Sequence, residues 1–504
     1  MSDARMLAAG HVMVRVDASE WHSTTYRSGA YRLIDQGVCG IGVFLGNLED
    51  TAVMIEELQR RAGGSLLVAA DYEFGLPMRL EGGISYPRAM ALGKCSAETT
   101  ESIASLIAHE AHALGVHWNW APVADINSNP DNPIINTRSF GEDPLGVAEQ
   151  VNAYVRGTQA QAVLACVKHF PGHGDTTVDS HVALPTIDVS EDTAAVREFV
   201  PFTSAIASGV GSVMVGHIVV PFLDAQLPAS LSHNVITGLL RGRMGFDGLV
   251  CTDALDMHAI ADRWPSGEAA VLALEAGADI ALMPDDVEEA ITAIAQAIES
   301  GRLSQEHLDA SRRRIDSVKQ TYVRGAARTS NHHPHVVDQS THAMFALKAA
   351  DEAQHVAGNS AALPITRYQH VAALAVVSDA DMASATTWFQ ALTQAVEMNI
   401  DCGYIDGSIS DREVEDLAHG LAEADVLVLA LFGKAIAYRG SLPGGERVPE
   451  IAKRLAAGRP VIVVACGSPY GIDRIDSACT IYTYSDTLPS IAASVMRLIG
   501  RNVR

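Results

Sequence analysis

Eight short, continuously apolar runs recur through the first 290 residues of this chain, each followed by a longer amphipathic stretch. They are His11–Asp17, Cys39–Gly46, Ser65–Glu73, His117–Ile126, Ala162–Phe170, Ser212–Val220, Gly248–Leu255 and Asp279–Pro284. The runs are rich in Val and Ile and do not alternate with polar residues, the pattern of parallel strands covered on both faces. The stretches between them read as helices. In Glu98–Gly115, for example, Ile103, Leu106, Ile107, Ala111 and Leu114 share one face and Gly115 ends it. Eight such βα units predict an α/β fold, a (β/α)8 TIM-like barrel in preference to an open doubly wound sheet. Several runs end in polar residues: Asp17, Asp71 with Glu73, Asp125, Lys168-His169, His217 and Asp253. A barrel gathers these strand ends at one mouth, whereas an open sheet spreads them along a line.

A helix ending near Arg324 is followed by Thr329-Ser330-Asn331-His332-His333-Pro334-His335, a polar, Pro-bearing break that reads as linker. From about residue 360 a second α/β pattern begins, with strands near His370–Val377, Ala424–Phe432, Pro460–Cys466 and Thr480–Tyr484. The expected organisation is a barrel over 1–330, a linker over 331–358 and a smaller layered α/β sandwich domain over 359–504. The second pattern carries no G-x-G-x-x-G and no P-loop, so nothing in it supports a nucleotide role, and Gly467-Ser468-Pro469-Tyr470-Gly471 reads as a turn.

Composition removes several function classes. The 36 basic and 60 acidic residues leave a net charge of −24, which argues against an extended nucleic-acid footprint. The seven cysteines are scattered, with no C-x-x-C pair, as expected of reduced thiols in a cytosolic protein. Met1-Ser2-Asp3-Ala4-Arg5 lacks the apolar core of a signal peptide. No run approaches the ~20 apolar residues of a membrane span. Cytoplasmic placement without a membrane partner is the expectation.

The densest chemistry is Lys168-His169-Phe170-Pro171-Gly172-His173-Gly174-Asp175, followed by Asp179-Ser180-His181. Charges at the end of a buried strand cost free energy unless they are paired or used. A carboxylate near an imidazole fixes its tautomer and raises its pKa, giving a proton donor useful near neutral pH. Asp179 and His181 offer that pairing where the loop brings them together. Asp253 stands at the end of the seventh run, where barrel enzymes keep catalytic groups. Asp71 can accept from two adjacent hydroxyls, and Lys168, His169 and Arg138 can donate to hydroxyls; a structural ion pair at the barrel rim is the alternative for Lys168 and Arg138. His217 is a further strand-end candidate.

These residues resemble the β-N-acetylglucosaminidase branch of glycoside hydrolase family 3. The resemblance is carried by Lys168-His169-Phe170-Pro171-Gly172-His173-Gly174-Asp175-Thr176 with Asp179-Ser180-His181 downstream. Ala121-Pro122-Val123-Ala124-Asp125, Arg138-Ser139-Phe140-Gly141-Glu142-Asp143-Pro144, Thr252-Asp253-Ala254-Leu255-Asp256-Met257 and Ala276-Gly277-Ala278-Asp279 follow the same pattern. Order and spacing hold over about residues 10–320, and the tail resembles the α/β domain of longer members. The resemblance implies Asp253 as nucleophile, His181 as acid/base and Asp179 as its dyad partner. It places Arg138, Lys168, His169 and Asp71 on the N-acetylglucosamine ring. The family usually reads Asp-Gln-Glu-Gly-Gly-Arg where this chain has Asp71-Tyr72-Glu73-Phe74-Gly75-Leu76; Arg79 is the candidate replacement for the missing Arg.

The function expected is a retaining, exo-acting β-N-acetylglucosaminidase acting on soluble oligosaccharides or muropeptide fragments, with no cofactor and no metal. Because an imidazole base does not repel an anion as a carboxylate does, inorganic phosphate is an alternative acceptor, which would make the protein a phosphorylase. A broader β-glucosidase is a further alternative. Two other classes compete: a metal-dependent hydrolase with His173, Asp175, Asp179 and His181 as ligands, and a sugar-binding sensor on a catalytically dead barrel.

Overall fold

The computed structural model describes residues 3–176, 184–324, 339–366, 369–377, 382–395, 399–433, 444–501 and 503. The chain forms two compact units. One comprises Met1–Ile84, Thr100–Ile126 and Gly141–Gln339; the other comprises Ser85–Thr99, Asn127–Phe140 and Ser340–Arg504.

The first unit is a parallel barrel. Its strands are β1 (Val12–Val16), β2 (Gly40–Val43), β3 (Leu67–Ala70), β4 (Trp118–Asn119), β5 (Leu164–Phe170), β6 (Ser212–Val215), β7 (Leu249–Thr252) and β8 (Ala281–Leu282). Each lies inside one of the apolar runs. The sheet order is β8-β1-β2-β3-β4-β5-β6-β7, parallel throughout. A parallel bridge between Cys251 and Ile280 joins the two ends, and the Asp279 N–H donates to the Val250 carbonyl at 2.8 Å. Met13, Leu67, Ala69, Trp118, Trp120, Leu164, Cys166, Leu249, Cys251 and Leu282 pack together as its core. The one indole donor of Trp118 is satisfied by Ser212 Oγ at 2.8 Å, as burial requires.

Helices follow the strands with conventional ends. Ser23 caps Thr24–Gln36 by accepting from the Tyr26 N–H, and Asp143 caps Pro144–Ala160 by accepting from the Gly146 N–H. Gly277 closes Ser266–Ala276 at φ 115°, a left-handed position that suits glycine. Beneath the barrel, fully buried Asp279 takes Arg241 Nη2 and Arg314 Nη2, each at 2.8 Å. That carboxylate of the motif is structural.

The second unit contains β9 (His355–Gly358), β10 (Val371–Val376), β11 (Ile400–Ile405), β12 (Val426–Gly433), β13 (Val461–Gly467) and β14 (Cys479–Tyr482). Their order is β9-β14-β13-β12-β10-β11, with only β9 antiparallel to its neighbour. Alternate residues of β10 enter opposite cores: Leu374 and Val376 join Val448, Ile451 and Leu455, while Ala373 and Ala375 join Trp388, Leu392 and Ile491. Helices on both faces of one sheet make this unit an α/β sandwich.

The structure divides the chain differently from the contiguous blocks read in the sequence. The span 331–358 contains the helix Gln339–Ala353 and the strand β9, and residues 331–338 lie outside the described residues. Two excursions from the barrel sequence also belong to the second unit. Glu352 accepts from the Ser96 N–H and the Thr99 hydroxyl, both at 2.8 Å, and Asn127 Nδ2 donates to the Tyr470 hydroxyl at 2.7 Å. Arg88 pairs with Asp486. Such partners are hundreds of residues apart, beyond the reach of local periodicity. Among the described residues no helix is long and apolar enough to cross a membrane.

Candidate active site

The residues that end β3 and enter the C-terminal half of β5 form a charge grid. Lys168, only 2 % exposed, donates through Nζ to Asp71 Oδ1 at 2.6 Å and sits 2.8 Å from Glu73 Oε1. A lysine is tolerated there because two carboxylates face it. Arg79 Nη2 donates to the other Asp71 oxygen at 2.5 Å, and its guanidinium lies over the Phe44 ring, 4.5 Å from the centroid. Burial pushes the Asp71 carboxyl up, but Lys168 and Arg79 outweigh it and hold the group below its ordinary value. The backbone behind this grid is fixed as well: the Tyr154 hydroxyl donates to the Tyr72 and Glu73 carbonyls at 3.1 and 3.2 Å.

Asp125, fully buried at the end of the fourth run, organises the next element. It accepts the His169 N–H at 3.1 Å, His169 Nδ1 at 2.7 Å and the His173 N–H at 2.7 Å. The carboxylate therefore fixes His169 as the Nδ1–H tautomer. Burial raises Asp125, and the His169 ring and its hydrogen bond reverse that, lowering it overall. His173 is buried too. Its Nδ1 lies 2.9 Å from Thr176 Oγ1, whose own hydrogen goes to the His173 carbonyl at 3.1 Å, so Nδ1 is the donor. Burial and neighbouring His169 push His173 down to about 4.

Asp253 follows β7 directly and is half-buried. Its N–H donates to the Val215 carbonyl at 2.8 Å, and Oδ1 accepts the Ala254 N–H at 2.9 Å. Burial raises its carboxyl, yet His169, His217, the Ala254 N–H and Lys168 prevail and bring it to about 2. An ionised, partly accessible carboxylate within electrostatic reach of the Lys168 grid has the properties of a nucleophile or of a stabiliser of positive charge.

The structure thus brings Asp71, Arg79, Lys168, His169, His217 and Asp253 to one group of strand ends. His217 plays a supporting part: Nε2 donates to the Ala254 carbonyl at 2.8 Å and Nδ1 meets Ser230 Oγ at 2.7 Å. Both ring nitrogens engage protein, and they brace the backbone beside Asp253. Arg138 belongs to the short helical turn Asn136–Arg138 of the second unit, where its Nη1 donates to the Ile134 carbonyl at 3.4 Å. Asp179 and His181 lie outside the described residues. Of the four residues weighed as metal ligands, His173 is engaged by Thr176 and Asp125, and Asp175 pairs with Arg197 at 2.6 Å. Among the described residues no group of three or more His, Cys, Asp or Glu is arranged to hold an ion. Glu73 and Asp125 are site residues that the sequence marked only as strand ends; their roles depend on contacts 44 and more positions away.

A parallel barrel with an ionised Asp253 and the Asp71–Lys168–Glu73 charge grid at its strand ends has the layout in which barrel enzymes place their active sites. The description of the glycosyl hydrolase family 3 N-terminal domain matches residues 13–318. The chain belongs to glycosyl hydrolase family 3. It is 37% identical over 315 residues to a beta-hexosaminidase A of Pseudoalteromonas piscicida, covering 56% of this chain and 53% of that protein. It is 34% identical over 286 residues to a beta-N-acetylglucosaminidase/beta-glucosidase of Cellulomonas fimi, covering 54% and 50%. The chain therefore spans about half the length of these two curated relatives. Among solved structures it is similar to a family 3 beta-N-acetylglucosaminidase from Paenibacillus sp. str. FPU-7, with a TM-score of 0.85 and 31% identity over 99% of this chain and 97% of that one.

Proposed function

We propose that this protein is a retaining, exo-acting β-N-acetylglucosaminidase. The observation that carries the reading is Asp253: ionised at about 2, and in electrostatic contact with Lys168 and His169. In the scheme, Asp71, Arg79, Lys168 and His169 bind the terminal N-acetylglucosamine through its hydroxyls. Asp253 attacks the anomeric carbon while His181, protonated and oriented by Asp179, gives its proton to the leaving oxygen. The C–O bond to the aglycone breaks as the C–O bond to Asp253 forms. Neutral His181 then removes a proton from water, whose oxygen displaces Asp253 and restores the starting configuration. The names of the similar proteins support the sugar, and soluble oligosaccharides or muropeptide fragments are the proposed substrates. Cytoplasmic placement is part of the same proposal.

The test is Asp253→Asn assayed on an aryl β-N-acetylglucosaminide. Turnover falls by at least ~10⁴-fold, as removal of a nucleophile requires. Full activity in that variant would remove the assignment.

A further inference from the structure

Beneath the Pro171–Thr176 turn lies a carboxylate that the scheme above does not use. Glu198 is 2 % exposed and immediately precedes the helix Phe199–Ala207. Its Oε1 accepts from Arg197 Nε at 2.6 Å, while Oε2 is buried with no hydrogen-bond partner among the described residues. An orphaned carboxylate oxygen is costly, so its retention calls for a reason. The same guanidinium reaches the turn: Arg197 Nη2 donates to Asp175 Oδ2 at 2.6 Å. Gly172, at φ 125°, lies against the Glu198 side chain; a Cβ there would stand 3.1 Å from Glu198 Cβ and 3.2 Å from Oε2. Asp125 holds the His173 N–H of the same turn at 2.7 Å. Gly174 is pressed onto the Ile126 carbonyl, leaving only 1.4 Å between that oxygen and a Cβ. The turn is held at Gly172, His173, Gly174 and Asp175.

We propose that Arg197 and Glu198 are positioning residues for the proton donor: they seat the Gly172–Thr176 turn, from which the sequence runs in five residues to His181. The inference rests on the assignment of His181 as general acid. Among the described residues, Arg197, Asp125 and Asp175 act electrostatically on Glu198. Burial pushes its carboxyl up, Arg197 opposes this, and Asp125 and Asp175 add to the rise, so it reaches about 7. Below that pH Glu198 is neutral and the Arg197 charge serves Asp175. Above it two carboxylates compete for one guanidinium, and the hold on the turn weakens. Because the folded value exceeds the ordinary 4.5, the stability this group contributes is full below 4.5 and is lost as pH rises through about 7.

Leaving-group dependence separates positioning from plain support. A 2,4-dinitrophenyl β-N-acetylglucosaminide departs without a proton, whereas an alkyl β-N-acetylglucosaminide needs one, and general acid catalysis is worth about 10²–10⁴-fold. In the 504-residue chain, Arg197→Gln lowers kcat on the alkyl substrate by ~10²-fold. It leaves KM and dinitrophenyl turnover within about threefold, matching the split in His181→Ala. Equal losses on both substrates, or none, overturn the proposal. If His181→Ala itself shows no split, the general-acid assignment fails and the proposal falls with it. If His181→Ala shows the split and Arg197→Gln does not, only the positioning role is lost. The isosteric Glu198→Gln guards against a folding failure. It melts above wild type at pH 8.5 and with it at pH 4.5, and its alkyl kcat holds to higher pH than wild type. Unchanged melting and pH profiles overturn the role of Glu198.

Discussion

At the scale of single residues, the buried basic groups at the centre of the site are each set against fixed carboxylates. Lys168 is held by Asp71 and Glu73, and His169 by Asp125. Asp253, near 2, stays ionised across any practical assay range, so an acidic fall in activity between pH 4 and 6 has its origin elsewhere. His173 behaves in the opposite way to Glu198. Its folded value, about 4, lies below the ordinary 6.5, so the unfolded chain binds the proton first and stability drops as pH falls from 6.5 towards 4. His173→Asn removes this term, and the difference in unfolding free energy between variant and wild type changes by on the order of 2 kcal/mol over that interval. Urea titrations at several pH values check it; a constant difference contradicts the burial of a neutral ring. Asp71, Lys168, His169 and Asp253 were legible in the sequence because each ends an apolar run. The organising role of Asp125 was not, because nothing local shows that two backbone N–H groups and a ring nitrogen converge on it.

At the scale of elements, the apolar runs located all eight barrel strands, since a strand covered on both faces leaves an unbroken signal. The edge strands β9 and β11 escaped notice for the converse reason. His355–Gly358 and Ile400–Ile405 are partly exposed and carry His, Asp and Gly in place of an apolar run. The glycines of the Pro-Gly-His-Gly motif acquire a mechanical explanation only in three dimensions. Gly174→Ala drives a methyl group into the Ile126 carbonyl oxygen, so the turn must lift from Asp125. Displacement of a catalytic element by about 1 Å costs on the order of 10²-fold in rate. We expect that loss in kcat/KM with the melting temperature reduced by a few degrees; wild-type kinetics in this variant would show that the turn need not stay seated.

At the scale of the whole molecule, the sequence placed both α/β patterns correctly but not the chain segments that complete the second unit. Ser85–Thr99 and Asn127–Phe140 leave the barrel sequence to join residues from 340 onward, and Arg138 travels with the latter. Truncation at residue 330 therefore strips these segments of Glu352, Tyr470 and Asp486. The truncated chain is expected to be poorly soluble and inactive; a soluble fragment with full kcat/KM would show that the barrel is self-sufficient. The central claim, retention through Asp253, is tested most directly by proton NMR of the first product formed from an aryl β-N-acetylglucosaminide in phosphate-free buffer. The account predicts free N-acetylglucosamine released in the β configuration, with the α anomer growing in only by mutarotation. Initial release of the α anomer would contradict it.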